Sequence, residues 1–236
     1  MPSDPLPRGR LVAFLELAAV LLLVPLLGIL AVELTGVELR DGITGVELLQ
    51  VKAVEIPLVL LLMARVLRWQ GRSFAALGWS FPRPTRLPDL RRGLLWVVPL
   101  VLLAAGVSAA LQASGFAATE PFRVEGTVEV LAFLLVGILA GGVVEELLYR
   151  GFVFQQLESI LPARGASRLM QATVLTAMLF ALPHGYEGSA AVGAILVIAI
   201  ALQLLYLRSG RRLLAPMVCH AAFNALQIAL LASGVA

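Results

Sequence analysis

The sequence predicts an all-α protein, a polytopic bundle of about seven transmembrane helices with a count one higher or lower also compatible with hydropathy. Three observations lead there. Apolar residues fill 60% of the 236 positions and charged residues 14%, against about 45–50% and about 25% in soluble domains. The mean hydropathy is +0.94. Apolar stretches near the ~20 residues that cross a bilayer recur along the chain, separated by short connections. Lipid offers no hydrogen-bond partners, so such stretches must satisfy their own backbone, as helices do.

The elements follow in order. Residues 1–10, "MPSDPLPRGR", are polar and proline-rich and form an N-terminal segment ahead of the first helix. The apolar run from Leu11 to Leu34 exceeds the ~7–15-residue core of a signal peptide and is predicted to be retained as a transmembrane helix. Its span is set at 11–33, and further spans are predicted at 47–67, 93–113, 128–157, 168–186, 189–207 and 213–233. The second is the weakest, because Lys52, Glu55 and Pro57 interrupt its start. Residues 11–127 therefore read as N-terminal transmembrane helices with a basic cytoplasmic connection at 68–92. Within it, Trp79, Phe81 and several prolines stand among arginines, a composition suited to an anionic membrane surface.

Charge sets the orientation. Arg8 and Arg10 precede the first span, and Arg65, Arg68, Arg72, Arg83, Arg86, Arg91 and Arg92 lie between the second and third. Arg164 and Arg168 follow the fourth, and Arg208, Arg211 and Arg212 follow the sixth. The alternate connections carry Glu33, Glu38, Asp41, Glu47, Glu120, Glu125, Glu129 and Glu187. This alternation predicts a multi-pass protein of a bacterial-type cytoplasmic membrane, with its N-terminus in the cytoplasm and its C-terminus outside. The sequence pI near 9.6 is thus a matter of topology, and no nucleic-acid partner is implied. The single cysteine, Cys219, excludes an intrachain disulfide and a cysteine metal cluster and reads as a small core residue.

Polar residues at membrane depth stand out against this background. Glu145 and Glu146 fall inside "GGVVEELLYRGF", residues 141–152, where a carboxylate costs about 2.5–3.5 kcal/mol on insertion scales. Glu146 and Arg150 are four apart and can pair on one helix face, whereas Glu145 points ~100° away. Taken alone, the stretch reads equally as a buried ion pair fastening helices or as one neutralised carboxylate beside one facing a wet cavity. Phe180 and His184 in "LFALPHG" are again four apart, with Pro183 placed to loosen the helix there. His220 and Asn224 share a face of the last span, and Ala221, Ala222 and Ala225 allow close helix approach. Gly137 and Gly141 form a G-x-x-x-G step, read as packing within the monomer.

Spacing brings these residues together. Gly165 lies 19 residues after Glu146 and 19 before His184, so a hairpin turning there sets them at similar depth. His220 lies only ~10 Å along its helix from Leu213, shallower than this arithmetic gives for His184. Two histidines, the only two in the chain, two carboxylates and an amide are thus predicted to line one cavity. Peptide hydrolysis needs such a set: a carboxylate to deprotonate water, an imidazole to orient it, and donors for the oxyanion. No serine or cysteine stands beside a base in an obvious pair, and H-E-x-x-H is absent from the sequence.

These residues resemble the motifs of the CAAX protease and bacteriocin-processing (CPBP, or Abi) family, intramembrane endopeptidases that include the type II CAAX prenyl endopeptidases. The family's E-E-x-x-x-R-G stands as Glu145 to Gly151, its F-x-x-x-H as Phe180 to His184, and its H-x-x-x-N as His220 to Asn224. The resemblance implies a catalytic helical core over 128–233. It also implies Glu145 as main general base, His184 holding the attacking water, and Glu146 supporting the site with Arg150. His220 and Asn224 would stabilise the oxyanion, and Phe180 would support. The implied activity is endopeptidase cleavage near the cytoplasmic side, on a protein or peptide substrate that can be membrane-anchored. Family members have also been called metalloproteases, and two histidines plus two glutamates could ligate zinc; the carboxylate–water mechanism requires no metal and is preferred. An alternative is a bacteriocin immunity or regulatory binding protein that uses the same cavity without proteolysis. Proton-coupled transport is a third reading, disfavoured because no internal repeat is visible.

Overall fold

The computed structural model describes residues 9–38, 42–117, 119, 122–124 and 126–233. Most of the N-terminal segment, including Arg8, and the loop residues Asp41, Glu120 and Glu125 lie outside the described residues. Seven long helices follow one another: α1 (Arg10–Thr35), α2 (Gly45–Trp69), α3 (Arg83–Ala113), α4 (Gly126–Ile160), α5 (Gly165–Glu187), α6 (Ser189–Arg208) and α7 (Leu214–Ser233). Six are long and apolar enough to cross a membrane. The exception is α2, 25 residues long but carrying Glu47, Lys52, Glu55, Arg65 and Arg68; it packs between α1 and α4 as a full member of the bundle. The protein is an all-α, multi-pass membrane protein. Among the described residues the only strand pairing is a two-residue parallel contact, β1 (Ile43–Thr44) against β2 (Phe122–Arg123).

Local chemistry explains the helix limits. Gly36 ends α1 with a φ of 66°, and Thr44 and Glu47 form a capping box that starts α2. Helix α3 begins at Arg83, ten residues before its apolar stretch, so the connection from α2 narrows to 70–82. Pro84 fits its first turn. The polar turns are held by Asp89, which is buried and accepts from Arg92 at 3.0 Å and from Arg212 at 2.7 and 2.9 Å. In α5 the α-helix stops at Ala181 and the chain tightens into a 3-10 turn, Leu182–Glu187, around Pro183. In α4 the hydrogen bonding shifts to the π pattern from Gly137 to Val153.

Helix α4 occupies the middle, touching α7, α2 and α5. Its contact with α7 is made by glycines. A Cβ added to Gly142 would lie 2.7 Å from Cβ of Ala221, and one on Gly137 would lie 3.1 Å from Cβ of Asn224. The G-x-x-x-G region therefore packs within the monomer. Large apolar side chains such as Leu22, Leu26, Ile29, Leu95 and Leu102 point outward, a surface suited to lipid. One end of the bundle gathers the connections 70–82, 161–164 and 209–213 with their arginines; the other gathers 36–38, 42–44, 114–117, 122–124 and Gly188.

Filling the glycine seam tests this packing. Gly142→Ala should cost about 1–3 kcal/mol through overpacking and lower the unfolding temperature in detergent. Gly106→Ala, with nothing within 4 Å of the added Cβ, should cause no loss.

Candidate active site

The π segment of α4 carries the two glutamates and the arginine. Closing each turn one residue later makes the angular step per residue smaller than the ~100° of an α-helix. Glu145 and Glu146 therefore diverge less than α-helical geometry suggests, yet their surroundings differ sharply. The Glu146 side chain is 0% exposed and that of Arg150 1%, with Nη1 of Arg150 3.0 Å from Oε1 of Glu146. The same oxygen accepts a hydrogen bond from Nδ1 of His220 at 2.7 Å. Arg150 also donates to the Ala199 carbonyl on α6 at 3.3 Å and lies over the Phe180 ring at 4.5 Å, a cation–π contact. Four helices thus hold one buried ion pair.

The second ring nitrogen of His220 faces Glu145. Nε2 lies 4.0 Å from Oε2, and the Glu145 side chain keeps 31% exposure. That separation is too long for a hydrogen bond and suits a bridging water. Asn224, one turn along α7, donates an amide hydrogen to the Gly137 carbonyl at 3.0 Å. Gly141 makes the approach possible: its Cβ would fall on the Asn224 amide and 3.5 Å from Nε2 of His220.

His184 enters from the 3-10 turn of α5. Its Nδ1 lies 3.0 Å from the Phe180 carbonyl; an N–H there donates to that oxygen and leaves Nε2 with a lone pair. Phe180 stands between the histidines, its ring centre 5.3 Å from His184 and 6.0 Å from His220. Tyr149 meets Phe180 edge-on at 5.0 Å, and Tyr186 stacks on His184 at 6.2 Å. Glu187 is close enough to feel the charges of His184 and Glu145. Tyr149 and Tyr186 were not singled out by the sequence reading, and Glu187 entered it only as a loop charge. Their signal was proximity to a motif: Tyr149 immediately precedes Arg150, and Tyr186 and Glu187 follow His184 by two and three residues.

Glu145, Glu146, Arg150, Phe180, His220 and Asn224 therefore meet in one place, with His184 on its rim. Cys219 points away into a buried cluster with Leu100, Leu202 and Leu205. Oε1 of Glu146 is shared by Arg150 and His220, and among the described residues no group of three His, Cys, Asp or Glu is placed to hold a metal ion.

The family described as Type II CAAX prenyl endopeptidase Rce1-like matches residues 127–226, a span that contains all three motifs. The match bears out the resemblance to the CAAX protease family. No curated protein and no solved structure matches the chain.

The buried pair yields a double-variant test. Arg150→Met should destabilise the protein by about 3–5 kcal/mol, because it leaves Glu146 charged and unpaired in the core. Adding Glu146→Gln should recover most of that loss, read as the unfolding temperature in detergent.

Proposed function

We propose that the chain is an intramembrane endopeptidase in which Glu145 activates water for attack on a peptide carbonyl. The family match over residues 127–226 supports CAAX-type proteolysis at the level of the family. The observation that carries the mechanism is the unequal use of the two glutamates around His220, 2.7 Å from Glu146 and 4.0 Å from Glu145. Glu146 is enclosed and committed to Arg150 and His220, so it cannot readily shuttle a proton. Glu145 is partly exposed and has room for water beside it.

The chemistry then follows from the hydrogen-bond directions. A water donates one hydrogen to Glu145 and the other to Nε2 of His184, whose Nδ1–H is tied to the Phe180 carbonyl. Its remaining lone pair turns toward the substrate carbonyl. As the bond forms, Glu145 takes the proton and later returns it to the departing amine. His220, with Nδ1–H fixed on Glu146, lines the position of the developing oxyanion, and Asn224 offers its second amide hydrogen there. Such charge-assisted donors gain strength in a low-dielectric interior. The substrate is a protein or peptide in or anchored to the bilayer, with prenylated CAAX proteins as one class suggested by the family's description. The reaction is read as metal-free because a carboxylate–water mechanism requires no metal.

Two measurements check this reading. Glu145→Gln and His184→Ala should lower cleavage of a membrane reporter by about 10²–10⁴-fold with an unchanged unfolding temperature; full activity in both would refute it. Glu146→Gln should lose stability as well as activity. Chelator treatment of the purified protein should leave cleavage intact, and loss restored by added zinc would replace the carboxylate–water mechanism.

A further inference from the structure

Two buried polar side chains, one on α5 and one on α6, border the ion pair, and the mechanism above uses neither. Gln203 is 1% exposed and Thr176 2%. Among the described residues, neither end of the Gln203 amide, nor the Thr176 hydroxyl, nor Nε of Arg150 has a hydrogen-bond partner; Oε2 of Glu146 has none either. Polar groups buried in this way are costly, and lipid supplies no substitute partner. Thr173, one turn earlier on α5, shows the ordinary solution, its hydroxyl donating to the Leu169 carbonyl at 2.8 Å. Thr176 does not take that course.

Two contacts of Arg150 set these groups beside it. Arg150 donates to the Ala199 carbonyl at 3.3 Å, the same carbonyl to which the α-helical ladder brings the N–H of Gln203. Helical side chains lean toward the helix N-terminus, so the Gln203 amide leans back along α6 toward Ala199 and the guanidinium. The Phe180 ring lies 4.5 Å from the guanidinium and by the same rule leans back along α5 toward Thr176. Ala177, Phe180 and Ala199 form one buried cluster at this level. The neighbouring polar groups are already engaged: the Tyr206 hydroxyl donates to the Leu77 carbonyl and accepts from Gln155. A direct bond between Thr176 and Gln203 would satisfy one end of the amide and leave the other. Leu202, Leu205 and Tyr206, which flank Gln203 on α6, are buried and keep bulk solvent away.

We propose that Gln203 and Thr176 bind buried water against Arg150, and that this water positions the Glu146–Arg150 pair and, through it, His220. Water fits because it both donates and accepts. The guanidinium repels a cation, and Oε1 of Gln203 and the Glu146 carboxylate disfavour an anion. Water that accepts from Nε of Arg150 and donates to Oε1 of Gln203 or to the Thr176 hydroxyl fixes the guanidinium plane. That plane sets Nη1, 3.0 Å from Oε1 of Glu146, and the same oxygen holds Nδ1 of His220. Water immobilised on fixed groups orients the pair, whereas bulk solvent would screen it. Gln203 and Thr176 are thus positioning residues that act through Arg150. Their effect on cleavage rests on the peptidase reading above; the water site does not.

Three measurements on the full-length protein test this. In a high-resolution density map, ordered water should lie within about 3.2 Å of the Gln203 amide and of Nε of Arg150 or the Thr176 hydroxyl; a Gln203 amide bonded only to protein groups overturns the water site. The chain has two histidines, so nitrogen NMR of isotope-labelled histidine follows two imidazoles, with His184→Ala assigning them. Gln203→Leu and Thr176→Val should each move the Nδ1 resonance of His220, and Thr176→Ser, which keeps the hydroxyl, should leave it in place. Thr176→Val keeps the side-chain shape, so it reads the site even where Gln203→Leu fails to insert. A His220 resonance unmoved in Thr176→Val overturns the positioning role, whatever the unfolding temperature does. On a membrane reporter, Thr176→Val should lower kcat about tenfold with KM unchanged; a raised KM at unchanged kcat overturns it. If the water and the resonance shifts are as expected and the unaltered protein cleaves no reporter, the peptidase reading falls while the water site and its hold on His220 stand.

Discussion

The organisation of this bundle depends on one oxygen atom. Oε1 of Glu146 lies 3.0 Å from Nη1 of Arg150 in an ion pair and accepts from Nδ1 of His220 at 2.7 Å, with carboxylate and guanidinium both buried. An unpaired polar group in such a place is costly, and the pairing fixes both partners in direction. Arg150 is aimed at the Ala199 carbonyl and the Phe180 ring, which ties α4 to α6 and α5. His220 is turned so that its free nitrogen meets Glu145. A buried ion pair is weak evidence for stability in itself. Here its larger effect is orientation, because it sets which nitrogen of His220 faces the reacting position.

That geometry demands a close approach of α7 to α4, and the sequence provides it by removing side chains. Gly137, Gly141 and Gly142 line the seam, with Asn224, His220 and Ala221 opposite. Without Cβ atoms on α4, Asn224 reaches a backbone carbonyl and His220 reaches across to Glu146. The π hydrogen-bonding of the same segment is consistent with this crowding, since such turns tend to occur where a helix carries function. Stability and function compete on this helix. Behind the pair, Thr176 and Gln203 are buried with no hydrogen-bond partner for the threonine hydroxyl or the glutamine amide, and Oε2 of Glu146 is likewise unpartnered. These atoms mark a polar interior that an apolar core would not tolerate without water.

Much of this was legible in the sequence because the bilayer is a demanding solvent. Helix positions followed from apolar length, and the charged start of α2 marked in advance the one helix that fails the membrane criterion. The pairing of Glu146 with Arg150 followed from i, i+4 spacing, and the break at Pro183 from proline chemistry. Less visible were features that depend on tertiary contact. The start of α3 at Arg83 relies on Asp89 meeting Arg212, 123 residues later, which no local pattern announces. The bond from His220 to Glu146 spans 74 residues, and local spacing gave only that both could reach one cavity. The placement of Phe180 between the two histidines is likewise a tertiary contact that helix spacing does not give.

Under the proposed mechanism, water is needed at Glu145 and His184 but would weaken the Glu146–Arg150 pair by raising the local dielectric. The structure separates the two requirements along the bundle axis. On one side of His220 the packing is continuous, from Phe152 and Phe154 through Leu213 to Leu77, and ion pairs lock the connecting turns. On the other side the polar groups face a short 3-10 turn, whose helical bonds are weaker and whose side chains keep exposure. The packed end fixes the direction of His220, and the looser end leaves Glu145 and His184 partly exposed.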